Sequence, residues 1–148
     1  MLDVGGYPVS SARFYLNSEP SVVDMRGFIH PDYDVDMHLA GQLEFGDSVA
    51  LMDCGFDAPF RTDLEIVGNK GKIYFPKAWQ PADEARIFIN EEPVDLPAAN
   101  HYVLMFEHFS SSILDGTAPR HGIDDAVQQM RIVDAILRSI RSGKPEAV

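Results

Sequence analysis

Asp3 and Tyr7 are the two residues near the start of the sequence whose chemistry and spacing suggest a reactive site. They lie four residues apart around Gly5-Gly6, and that spacing brings two side chains to one face of a first helical turn. A carboxylate beside a phenol can bind and deprotonate a hydroxyl group when a nearby cation or relay assists the phenol. Asp3 can instead cap the helix while Tyr7 packs at its start, so the residues alone leave two interpretations open.

The residues that follow predict the elements that would hold this pair. Val9, Ala12 and Leu16 have helical spacing, which predicts a short helix over residues 6–17. From residue 21 to residue 96 the apolar pattern alternates instead, and short turns such as Gly46-Asp47 separate the segments. Consecutive strands joined by short turns indicate an antiparallel sheet.

Two further helices are predicted after the strands, each with an apolar stripe that we expect to be buried. The first begins after Asn100, a good N-cap residue, and ends at Gly116; the second begins near Ile123 and ends at Gly143. The positions expected to be buried are Tyr102, Met105, Phe106, Phe109 and Ile113 in the first helix, and Ala126, Val127, Met130, Val133, Leu137 and Ile140 in the second.

The order of elements is typical of an α+β domain with an open, mainly antiparallel sheet and helices packed on one face. Val49 and Leu51 alternate with other apolar residues, so this strand is apolar on both sides. The other sheet face is therefore available for dimerisation, most simply with a second copy of the chain. We predict that residues 1–148 form a single domain.

Composition argues against several classes of protein. The formal net charge of −11 is unfavourable for binding nucleic acid, and no apolar run is long enough to span a membrane. Because the first residues lack the features of a signal peptide, we expect a cytoplasmic protein. Cys54 is the only cysteine, which excludes an internal disulfide and a cysteine-based metal cluster.

Asp34, Asp36 and His38 are the residues whose types could bind a metal ion. Strand alternation would place all three on one face, but a solvated strand edge next to a turn produces the same polar row. We therefore predict no metal site.

Five local patterns follow one another along the chain: Leu2 to Tyr7, Glu19-Pro20, Ile66 to Ile73, Tyr102 to Ile113, and Asp125 to Ser139. In this order they resemble the C-terminal domain of the Gfo/Idh/MocA family of NAD(P)-dependent oxidoreductases, over essentially the whole chain. In that family the domain shapes the substrate site and commonly forms dimers through its open sheet face.

The family's motif of Asp followed four residues later by His or Tyr falls on Asp3 and Tyr7. Tyrosine in the second place resembles the branch that contains glucose-fructose oxidoreductase and dimeric dihydrodiol dehydrogenase. The resemblance implies that Tyr7 is a general acid/base for a CH–OH or carbonyl group, and that Asp3 helps to orient a sugar or polyol substrate.

The chain has no counterpart of the family's N-terminal Rossmann domain, which binds NAD or NADP, or of its Glu-Lys-Pro motif. We therefore expect a substrate-binding and oligomerisation domain that binds no cofactor and is inactive alone. The alternative is a stand-alone dimeric scaffold or small-ligand-binding module without catalysis.

Overall fold

The computed structural model describes residues 3–80 and 86–148. These residues form α1 (Gly6–Leu16), β1 (Val22–His30), β2 (Val35–Phe45), β3 (Ser48–Gly55), β4 (Leu64–Gly68), β5 (Gly71–Phe75), β6 (Arg86–Ile89), β7 (Glu92–Asp95), α2 (His101–Asp115), α3 (Ile123–Ser142) and β8 (Glu146–Ala147). This combination confirms the α+β class. The chain divides into two compact units, Met1–Ala58 with His121–Val148 and Pro59–Arg120.

The first unit contains a four-stranded antiparallel sheet in the order β3-β2-β1-β8. Helices α1 and α3 cover one of its faces, as the sequence predicts. The core between them is formed by Val9 of α1, by Val23, Met25, Leu39, Leu43, Phe45 and Met52 of the sheet, and by Ile132, Val133, Ala135 and Ile136 of α3. The Asp3 and Tyr7 region is therefore attached to a packed scaffold.

The opposite face of this sheet carries the other residues of each strand. Val49 and Leu51 alternate with the core residue Met52 along β3, and their side chains are 55% and 78% exposed. The same face bears an ion pair between Asp24 and Arg26, with 2.6 Å between oxygen and nitrogen. The predicted open face is thus present, with exposed apolar and charged side chains together.

The second unit contains a four-stranded antiparallel sheet in the order β4-β5-β6-β7, and α2. The sequence predicts one run of strands, whereas the observed strands form two sheets. The connection from β3 to β4, residues 56–63, includes Pro59 and is too long for a tight hairpin. Gly68 and Gly71 pair across the predicted turn between β4 and β5.

Helix α2 has the predicted ends but not the predicted burial. The Asn100 side chain accepts hydrogen bonds from the backbone of Tyr102 and Val103, at 3.0 and 3.2 Å, and Gly116 ends the helix in the left-handed conformation. The expected buried stripe of Tyr102, Met105, Phe106, Phe109 and Ile113 is exposed, so that prediction is wrong. Helical spacing correctly groups these residues on one face, but it does not supply an element to cover them.

Helix α3 is buried along a stripe that only partly matches the prediction. Val133 is buried and Leu137 is half-buried, as expected, but Val127 and Met130 are exposed, as is Ala126. After the predicted end at Gly143, the chain forms the short strand β8, which the sequence analysis did not identify.

No helix within residues 3–80 and 86–148 combines the length and apolar character needed to cross a membrane.

Candidate functional site

Both residues of the predicted reactive pair line one open cleft of about 340 Å³ in the first unit. Asp3, Tyr7 and Ser10 line it from the α1 side, and Asp125 and Gln129 line it from α3. The sequence predicts the two side chains on one face of a first helical turn, whereas Asp3 lies in the turn before α1 and Tyr7 in its first turn, and both line the same cavity. Their chemical roles remain a prediction.

The start of α1 bears on the second interpretation of Asp3, that it caps the helix. The N-cap residue is Gly5, and no side chain makes a capping hydrogen bond there, so the capping role for Asp3 is wrong. Tyr7 is 53% exposed and does not belong to the core. Pro8 lies in the first turn of α1, where its missing N–H would have no helical partner.

Arg13 joins α1 to α3 through Asp125 and Gln129, two residues that line this cleft. Its guanidinium donates to both carboxylate oxygens of Glu19 at 2.7 Å, and it lies 2.9 Å from Oδ1 of Asp125. Hydrogen bonding to Glu19 raises the pKa of Arg13 above its ordinary value, although burial opposes the shift. With a side chain only 9% exposed and two carboxylate partners, Arg13 is a structural cation whose charge is already matched.

Gln129 extends this network to the first turn of α1. Its Oε1 accepts a hydrogen bond from Arg13 at 3.0 Å, and its Nε2 donates to the carbonyl oxygen of Gly6 at 2.9 Å. Asp125 is also fixed from its other side, because Nδ1 of His121 lies 3.4 Å from its Oδ2. Two α3 side chains of the cleft therefore have defined orientations.

Sequence reasoning missed the contribution of α3 to the cleft. Asp125 had an ordinary explanation as an acidic residue in the first turn of a helix, where it complements the helix dipole. Gln129 is separated from its partner Arg13 by 116 positions, and nothing local in the sequence indicates that pairing.

The charge of the cleft limits what it can bind. Its lining residues, within the described part of the chain, contribute carboxylates, hydroxyls and an amide but no Lys, Arg or His. Such groups suit the hydroxyls of a sugar or polyol, whereas two carboxylates without a cation among the described lining residues disfavour a phosphate.

The described residues do not fit a dinucleotide cofactor of the usual kind. All the strand pairs within residues 3–80 and 86–148 are antiparallel. A Rossmann-type site requires a glycine-rich turn between a parallel strand and a helix, and none is formed in these ranges.

The alternative metal cluster is not assembled as strand alternation would require. Asp34 lies in the turn before β2 and is 3.8 Å from Arg141, while Nδ1 of His38 is 2.7 Å from Oδ2 of Asp57. In the described ranges no three His, Cys, Asp or Glu side chains converge on a position that could hold a metal ion.

Comparison with known proteins gives a consistent family assignment. The profile of the GFO/IDH/MocA C-terminal domain matches residues 1–74. The D-xylose 1-dehydrogenase [NADP(+)] of Haloarcula marismortui is 28% identical over 139 residues, which cover 84% of this chain and 38% of that protein. The dTDP-3,4-didehydro-2,6-dideoxy-alpha-D-glucose 3-reductase of Actinomadura kijaniata is 24% identical over 95% of this chain and 45% of its own length.

Solved structures show the same fold. The aldose-aldose oxidoreductase of Caulobacter crescentus, complexed with glycerol, superposes with a TM-score of 0.86 at 23% identity, over 99% of this chain and 46% of that one. The 3-ketoreductase KijD10 of Actinomadura kijaniata, in complex with NADP and TDP-benzene, gives 0.85 at 23% identity, over 93% and 45%. The chain spans about half the length of the relatives that it matches, or less. It belongs to the GFO/IDH/MocA family and corresponds to the C-terminal domain of its members.

Proposed function

We propose that this chain is the substrate-binding and oligomerisation domain of an NAD(P)-dependent oxidoreductase that acts on a CH–OH group of a sugar or polyol. The observation that carries the proposal is the convergence of Asp3, Tyr7 and Ser10 with Asp125 and Gln129 in one cleft. The named relatives support the substrate class, since one is a D-xylose dehydrogenase and another a reductase of a dideoxy sugar nucleotide.

Tyr7 and Asp3 have distinct roles in this proposal. Tyr7 accepts the proton of the reacting hydroxyl, or returns it to the carbonyl in the reverse direction, while Asp3 accepts a hydrogen bond from a neighbouring hydroxyl and fixes the ring. NAD(P), held outside the described residues, supplies the hydride chemistry. Because no cation lines the cleft in the described part of the chain, we expect the group that assists Tyr7 to come from a cofactor-binding domain.

We further propose that residues 1–148 act as one cofactor-free domain in a cytoplasmic enzyme. The chain alone should bind neither NAD nor NADP and should show no turnover. Isothermal titration calorimetry with NADPH tests this directly, and tight binding to these 148 residues would contradict the proposal.

A chimera tests the proposed function itself. The chain is joined to the part of the Haloarcula D-xylose dehydrogenase that it does not match, in place of the matching part. We expect NADP-dependent oxidation of a sugar or polyol by the chimera and none by the isolated chain. A folded chimera that binds NADP but oxidises nothing across a panel of pentoses, hexoses and polyols would refute the enzyme role.

Tyr7→Phe and Tyr15→Phe in that chimera form a matched pair on the same helix. Removing a general acid/base ordinarily lowers turnover by about 10²–10⁴-fold, so Tyr7→Phe should fall in that range. Tyr15→Phe removes the same hydroxyl two turns further along α1 and should retain activity. Equal rates for the two variants would assign the proton transfer to another residue.

The oligomerisation part of the proposal concerns the open face of the β1–β3 sheet. We expect a dimer by light scattering, because Leu51 and Val49 are exposed side by side on this face. Leu51→Glu should convert the dimer to a monomer. Leu114→Glu on α2, a site 84% exposed, carries the same substitution and should leave the dimer intact.

A further inference from the structure

The hydrogen bond between Gln129 and Gly6 is a contact that the family assignment does not explain. Nε2 of Gln129 lies 2.9 Å from the Gly6 carbonyl oxygen, in a part-buried position, and the residues are 123 positions apart. Gly6 is the first residue of α1 and is bonded directly to Tyr7. The contact therefore acts on the peptide that leads into the proposed acid/base.

The orientation of the Gln129 amide is dictated by Arg13. A guanidinium only donates hydrogen bonds, so the amide oxygen must face Arg13, which it does at 3.0 Å. The amide nitrogen is consequently directed to Gly6. Arg13 in turn is held by both oxygens of Glu19 at 2.7 Å, so its position does not depend on Gln129 alone.

The side chain of Gln129 packs against the backbone at Gly6. A Cβ atom placed on Gly6 would lie 3.9 Å from Nε2 of Gln129, so the α3 side chain reaches directly over the backbone of the first turn. The N-cap at Gly5 makes no side-chain hydrogen bond, so the ordinary means of fixing a helix start is missing here. Gln129 does not satisfy the free N–H groups that a cap would bind, but it fixes the first turn through the Gly6 carbonyl oxygen.

We propose that Gln129 is a positioning residue for Tyr7 and Asp3, because it holds the first turn of α1 through the Gly6 carbonyl with an amide aligned by Arg13. The inference rests on the proposed function, since it assigns Gln129 a role in the same cleft. It adds that substrate affinity depends on a side chain of α3 that need not touch the reacting atoms.

Gln129→Glu is the variant that tests this role. It keeps the size of the side chain and an oxygen facing Arg13, but it replaces the donor to Gly6 with an oxygen that repels the carbonyl. Gln128→Glu is the matched control. Its Oε1 accepts from Arg131 at 2.7 Å, it lies on the same helix, and it makes the same change of charge without lining the cleft.

Three properties of the full chain are measured. They are the dissociation constant for D-xylose by NMR titration, the midpoint of thermal unfolding, and the NMR chemical shifts of the Gly6 carbonyl and the Tyr7 ring without ligand. Loss of one positioning hydrogen bond should weaken xylose binding about ten-fold in Gln129→Glu. The Gly6 and Tyr7 signals should move, while the thermal midpoint stays close to that of Gln128→Glu. Gln128→Glu should match the wild type in affinity and in both signals.

The outcomes separate the two proposals. The positioning role would be overturned if both variants bind xylose with the same affinity and the Gly6 and Tyr7 signals move in neither. It would also be overturned if Gln129→Glu lowers only the thermal midpoint and leaves the xylose affinity and both signals unchanged. If the wild-type chain does not bind xylose, xylose is excluded as a substrate under the proposed function. The Gly6 and Tyr7 signals then decide the inference alone: shifts confined to Gln129→Glu support it, and shifts in neither variant refute it.

Discussion

Replacing Ser139 by alanine should destabilise the first unit more than any other single hydroxyl deletion near it. Ser139 is fully buried on α3, and its Oγ accepts a hydrogen bond from the backbone N–H of Met25 at 2.9 Å. The same hydroxyl donates to the carbonyl oxygen of Lys144 at 2.7 Å. One side chain thus joins α3, strand β1 and the turn that follows the helix.

The size of the stability loss depends on whether each hydrogen-bond partner of Ser139 can bond to another group once the hydroxyl is removed. Strand β8 pairs with β1 only at Val22 and Val23, so it does not reach the Met25 N–H, and Met25 is itself fully buried. An unsatisfied buried N–H costs about 1–3 kcal/mol, whereas the exposed Lys144 carbonyl can be hydrated again. We expect a loss of about 2 kcal/mol, equivalent to a midpoint lower by about 4–8 °C for a chain of this length.

Urea denaturation followed by circular dichroism measures this loss, with Ser142→Ala as the control. Ser142 lies one turn later, and its exposed hydroxyl donates to Glu146 at 2.9 Å, so its removal should cost less than about 0.5 kcal/mol. If the two variants unfold at the same urea concentration, the Met25 N–H does not depend on Ser139 and the reasoning is wrong.

Three further predictions concern the two sheets. Cys54 is half-buried in β3, and burial raises the pKa of its thiol. Labelling by a disulfide reagent at pH 8 should therefore be at least about ten-fold slower in the native chain than in the urea-unfolded chain. Equal labelling rates would contradict this prediction. Gly41→Ala would press a Cβ against the carbonyl oxygen of Asp24 in β1 and should cost about 3 kcal/mol. Gly68→Ala meets nothing closer than 3.9 Å and should cost much less, and urea denaturation curves compare the two variants. The hydrogen bond to Asp63 raises the pKa of Tyr74. Its contribution to folding stability is therefore complete below about pH 10 and is lost as the pH rises through the raised pKa of Tyr74. In an NMR titration Asp63→Asn should lower the pKa of Tyr74, and an unchanged pKa would exclude the contact.

Features that depend on a few neighbouring residues were predictable from the sequence. The start of α1, the Gly46-Asp47 turn and the Asn100 cap each follow from local backbone chemistry. The proximity of Asp3 and Tyr7 belongs here only in part, because α1 begins at Gly6 and Asp3 lies in the turn before it rather than in the same helical turn.

Burial required information that helical spacing does not contain. The apolar residues of α3 are spread over more than one stripe of the helix. Contact with β1 selects the face of Ile132 and Ile136 over that of Val127 and Met130. The α3 side of the cleft was unpredictable for a related reason. The Gln129 contacts join positions more than a hundred residues apart, and a single sequence carries no signal for them.

The discontinuity of the first unit has a consequence for biosynthesis. Strands β1, β2 and β3 leave the ribosome well before α3, which supplies Ile132 and Ile136 to their shared core, and residues 59–120 are made in between. Throughout that interval Met25 and Leu43 lack the cover of α3, although α1 has already been made and tight turns allow their strands to pair. Nascent chains that stop short of α3 should therefore be sensitive to protease and engage chaperones, and both properties should decline once the helix has emerged.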